Sequence, residues 1–206
     1  MFRTNLQNVV ANYLSVPAFQ DKWKKDQKIG AGYYYALTYP SILSFFKEHQ
    51  PLSDALNLKV ALIFSWNPTI CKVTPTRFEQ AERELANLES TREELSTKDI
   101  SNVDTNGAIR ELWGPVKKAT SSKNSTSGVS VTKFLHFSFP HIFPMIDLNT
   151  MKNLGGATVN LEWYSIFLSE WKDLYKHSKA SFDQISNAAV DMPVARVLDI
   201  MLFTPK

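Results

Sequence analysis

The chain has 206 residues, 44% of them apolar, with 13 Phe, 7 Tyr and 5 Trp; this is enough to build a packed core and excludes a disordered protein. A net charge of +3 is mild for a protein that coats nucleic acid through charge alone, yet it leaves room for a localised basic face. Cys71 is the single cysteine, which excludes an intrachain disulfide and a cysteine-built zinc site. A reducing cytoplasm is expected from this, and from the lack of an apolar signal core in residues 1–16 and of any apolar run of about 18 residues.

In chain order, Leu6, Val9, Val10, Tyr13 and Leu14 predict an amphipathic helix over Asn5–Leu14. Pro17 suits the first turn of a second helix, which Gly30-Ala31-Gly32 ends. Pro40 is expected to end or restart a helix and to leave Ser41–His49 as a short one. Leu52–Ser65 predicts a buried helix capped by Ser53, and Thr76 is the expected cap of a charged helix after it. Thr91–Asp104 is polar and carries no clear period. Ala108–Ala119 predicts a helix kinked at Gly114-Pro115, and the Ser-, Thr-, Lys- and Asn-rich stretch 120–128 predicts an exposed linker. Leu148–Leu154 is a short helix. Asn160 caps the clearest helix, Leu161–Lys179; Ser181 caps another, and Pro193 opens the last. Strand-like alternation is scarce. The reading is an all-α, globular multi-helix fold of about nine to eleven helices. It is taken as a single helical domain over 1–206, or as two lobes parted near 120–128.

The stretch most suggestive of chemistry is Gly128–Met151, GVSVTKFLHFSFPHIFPMIDLNTM. It sets Lys133, His136, His141 and Asp147 in an apolar run, and buried titratable groups need partners. Lys133 and His136 are three apart and share a helical face, so a Lys–His–Asp set with Asp147 could carry acid–base chemistry. The bland alternatives are that Lys133 snorkels, His136 is a hydrogen-bonded core histidine and Asp147 caps the helix that begins at Leu148.

The same stretch resembles the helix-hairpin-helix DNA glycosylase superfamily: Gly128-Val129-Ser130 stands where that family has a Gly-Val-Gly-type hairpin, and Phe143-Pro144-Met145-Ile146-Asp147 where it has its aspartate element. It is also similar to uncharacterised bacterial helical proteins with a Lys-x-Leu-His-Phe pattern followed by Phe-Pro-x-x-Asp. The glycosylase resemblance implies a hairpin whose backbone N–H groups hold a DNA phosphate, and an aspartate near a flipped nucleotide. This sequence departs from it at Ser130, and the family's catalytic lysine aligns with Thr132 rather than Lys133.

Arg110, Trp113, Lys117 and Lys118 place basic groups around an indole, a pattern suited to phosphate contact and base stacking; Lys133 would add to it. Lys22, Trp23, Lys24, Lys25 and Lys28 form a second such group, diluted by Asp21 and Asp26. Arg196 and Asp199 are expected to pair with each other or with the loop around Asp147. No phosphate loop, dinucleotide motif, nucleophile elbow or metal-ligand spacing is present, so neither a cofactor nor a metal is expected. The expected function is contact with DNA or RNA without chemistry. A helical module for a protein partner is the alternative, and an active glycosylase using Asp147 the third reading.

Overall fold

The computed structural model describes residues 2–28, 31–65, 75–121, 128–189 and 192–203, without the side chains of 2–5 and 31–35. Within them lie eleven helices and no strand. Cys71 falls outside the described residues, as does the linker from 122 to 127.

The first three helices are α1 (Phe2–Ala11), α2 (Val16–Asp26) and α3 (Ala31–Glu48). Ser15 caps α2, its side chain accepting from the Ala18 N–H, and Pro17 sits in the first turn as expected. Pro40 does not interrupt α3, which continues to Glu48; it removes one ladder bond without ending the helix. Next comes α4 (Leu56–Ser65). Ser53 is not its cap, because Ala55 has φ 47° and a left-handed residue cannot lie inside a right-handed helix. After α5 (Pro75–Ala86), α6 (Glu89–Ser96) runs into the stretch from Thr91 that carries no clear period.

Asp104 caps α7 (Thr105–Thr120), which runs through Gly114-Pro115 as one helix. Thr120 and Ser121 are buried, at 0% and 1% exposure, so the expected exposed linker does not begin before residue 122. α8 (Val129–Ser138) buries every residue from Val129 to Phe137, which makes it the centre of the fold. α9 (Leu148–Asn153) is short. Asn160 caps α10 (Leu161–Ala188), which absorbs the helix expected from Ser181; its irregularity is at Ser178 (φ −120°, ψ 20°). α11 (Val194–Leu202) follows Pro193.

α7 packs against α5, α8 and α10; α8 also meets α3 and α4; α11 meets α1, α2 and α10. The buried apolar side chains of these helices form one cluster. No helix among the described residues is long and apolar enough to cross a membrane.

Candidate functional site

The segment 143–147 after α8 is irregular chain that enters the core: Phe143 and Ile146 are fully buried. Buried backbone polar groups must find partners, and here side chains supply them. His136 donates from Nδ1 to the Phe143 carbonyl at 2.7 Å. Tyr164 of α10 donates to the Pro144 carbonyl at 2.7 Å. The Ile146 N–H donates to Thr132 Oγ1 at 3.1 Å, while that hydroxyl donates to the Val129 carbonyl at 3.0 Å. Thr132 and His136 are four apart and therefore on one helical face. Much of the distinctive sequence between Thr132 and Asp147 is accounted for by this pegging of a buried irregular segment.

The same geometry fixes the state of the titratable residues. A carbonyl only accepts, so His136 Nδ1 carries the proton and Nε2 accepts from the Tyr39 hydroxyl at 2.8 Å. Burial, reinforced by Arg196, pushes the His136 pKa down to about 3. Burial likewise raises the Asp199 carboxyl well above the usual carboxylate range, against the opposing pull of Arg196 and the Met145 N–H. Its Oδ2 lies 3.7 Å from His136 Nδ1 and 3.9 Å from Arg196 Nη1. The Arg196 guanidinium sits over the Tyr39 ring at 4.6 Å. Lys133 is 8% exposed, and burial lowers it to about 8 although Asp147 pulls it upward.

Of the expected Lys133–His136–Asp147 set, Asp147 does what its position as a cap predicts: its Oδ1 accepts from the Thr150 N–H at 2.6 Å. His136 is a core histidine with both nitrogens occupied, hence neutral and withheld from solvent. Lys133 does not snorkel. Lys133 and Asp147 are coupled through space, and Asp199 is the buried carboxyl beside His136.

Of the residues expected to contact nucleic acid, Arg110, Trp113, Lys117 and Lys118 lie on α7 and Lys133 on α8, and several are engaged within the protein. Trp113 is 6% exposed, with its ring 5.8 Å from that of Tyr164, so stacking on a base would require it to leave the core. Gly128, the first residue of the hairpin-like triplet, lies against that indole, and an added Cβ would fall 2.4 Å from two of its ring carbons and 2.9 Å from the Val159 carbonyl. Its N–H donates to the same carbonyl at 2.6 Å and is not available to a phosphate. Lys118 pairs with Glu84 of α5. Arg110 borders an open groove that also holds Glu162 and Glu170, and Lys117 is half-buried on the same helix. In the N-terminal group, Lys22 and Lys25 pair with Asp26 and Asp21.

A different basic site lies between α3, α4, α6 and the turn after α8. It is a cavity of about 340 Å³ lined by Lys47, Lys59, Arg92, Lys98 and His141, with Phe46, Phe137 and Phe139 on its walls and no Asp or Glu in its lining. That volume is at the small end of ligand pockets. Glu89 holds Arg92 and Glu94 holds Lys98, and Arg92 Nη1 also donates to Gln50 at 3.2 Å. Lys59 is 1% exposed. Its ammonium donates to the Pro51 carbonyl at 2.7 Å and lies 5.6 Å over the Phe46 ring, and burial lowers its pKa to about 8. Sequence spacing does not reveal this site, because its cations come from α3, α4, α6 and the chain just after α6, and His141 from the turn after α8. The one signal was Lys59 itself, a single cation inside the apolar run Leu56–Phe64.

Comparison with known proteins finds no family model that matches this chain, no matching relative among curated proteins and no matching solved structure.

Proposed function

We propose that this is a non-catalytic helical protein that contacts nucleic acid, of helix-hairpin-helix-like shape but with its phosphate contacts in the basic cavity rather than at the hairpin. The observation that carries this reading is the cavity lining: Lys47, Lys59, Arg92 and Lys98 converge with His141 and three phenylalanines, and the glutamates that pair with Arg92 and Lys98 stay outside the lining. Phosphate is attracted by the charge, and bases are compatible with the apolar walls. The non-catalytic part rests on His136, whose two ring nitrogens are both bonded, and on Asp147, whose carboxylate caps α9.

A titration of single-stranded DNA and RNA against the full chain, repeated across salt concentrations, tests the reading. Contacts from Lys47, Arg92 and Lys98 give a log–log salt slope of about −2 on a single strand. Absence of binding at low salt for both nucleic acids overturns it and leaves a helical protein-interaction module in its place.

A further inference from the structure

The cavity contains a buried cation that the fold compensates only from a distance, through the charges of Asp54 and Glu89. Lys59 is buried, yet among the described residues it makes no ion pair; Pro51 supplies one carbonyl and Phe46 a ring face. An ammonium has three donors, and a buried charge is normally paired because isolation in low dielectric is costly. Replacing Lys59 with an apolar residue of similar length would remove that cost, so its place beside a cavity calls for a compensating anion. Arg92 lines the same cavity with a side chain only 12% exposed, held in place by Glu89 and Gln50.

The kind of anion follows from access. An internal phosphodiester has chain on both sides and one negative charge, so it can meet exposed Lys47 and half-exposed Lys98 at the rim but not a lysine that solvent scarcely reaches. A phosphate monoester is attached through one oxygen only. It carries a charge of about −1.5 to −2 at neutral pH and three acceptor oxygens, which match the spare donors of Lys59 and Arg92. The Phe46, Phe137 and Phe139 walls suit the apolar surface behind such a group.

We infer that the cavity is a phosphate-monoester site, with Lys59 and Arg92 as its inner cations and Lys47 and Lys98 at its rim. In the context of the nucleic-acid reading, on which this inference builds, the group is the terminal phosphate of a strand; a free nucleoside monophosphate offers the same chemistry.

The test uses the whole 206-residue chain and three probes: one single-stranded oligonucleotide with a 5′-phosphate, its 5′-hydroxyl twin, and AMP. The 5′-phosphorylated strand binds about tenfold or more tightly than its twin, as expected for charge-assisted hydrogen bonds. That preference disappears in Lys59→Met, which deletes a buried charge and should melt no lower than wild type, and shrinks in Arg92→Gln. Equal binding of the two strands overturns the inference and leaves the nucleic-acid reading standing. AMP binding that is lost in Lys59→Met, with neither strand bound, upholds the site and overturns the nucleic-acid reading. Binding of none of the three overturns both. A phosphate preference that survives in folded Lys59→Met also overturns the assignment.

Discussion

His136 and Asp199 are neighbours held in opposite departures from their ordinary states, and each leaves a mark on stability. The unfolded chain protonates His136 near pH 6.5, whereas the folded protein resists until about 3. Its contribution is complete above about pH 6.5 and falls away as pH drops through that window. Asp199 behaves the other way: its folded pKa is raised, so its contribution is complete below the unfolded value of about 3.9 and is lost as pH rises towards the folded value. Between about pH 4 and 6.5 the two slopes oppose each other. Asp199→Asn, uncharged at every pH, is therefore expected to gain stability relative to wild type as pH rises from 4 to 8, as measured by denaturant unfolding at several pH values. A stability difference that does not change with pH would show that Asp199 is already ionised in the folded state. For Asp147, the cap geometry predicts a loss of about 0.5–2 kcal/mol in Asp147→Ala and little change in Asp147→Asn, since Asn caps as well. Asp147→Asn also removes the charge that supports Lys133, so the Lys133 amine should titrate below its wild-type value of about 8 when followed by NMR.

At the scale of elements, Gly128 is fixed by close approach rather than by a phosphate. Gly128→Ala drives a methyl into the Trp113 ring and is expected to cost about 1–3 kcal/mol through overpacking; an unchanged melting temperature would contradict this contact. The apolar stripes of α10 and α11 and the caps at Asn160 and Asp147 could be read from the chain, because helix period and capping chemistry are local. Ser53 and Pro40 misled for the same reason. Ser53 has cap chemistry, but Ala55 adopts a left-handed conformation that no local rule anticipates, and Pro40 loses one hydrogen bond that tertiary packing of α3 outweighs. The polar motif from Thr132 to Asp147 was visible as unusual. Its meaning was not, because the carbonyls that His136 and Tyr164 satisfy come from a segment whose path depends on the whole core.

At the scale of the molecule, a net charge of +3 understates how unevenly cations are placed. Lys22, Lys25, Lys118 and Lys179 are matched by acidic neighbours, as are Arg92 and Lys98 of the cavity, while Lys47 and Lys59 line it without an ion pair among the described residues. The most direct measurement of the proposed function compares two double variants, Lys47→Gln with Lys98→Gln and Lys117→Gln with Lys118→Gln, in salt-dependent titrations of one single-stranded oligonucleotide. Each pair removes the same charge, so a general field effect would weaken both alike. The cavity pair is expected to flatten the salt slope by about 1.4, or 0.7 for each lost contact, while the α7 pair leaves it close to wild type. Equal slopes in the two double variants, or a greater loss in the α7 pair, would contradict the placement of the nucleic-acid contact in the cavity.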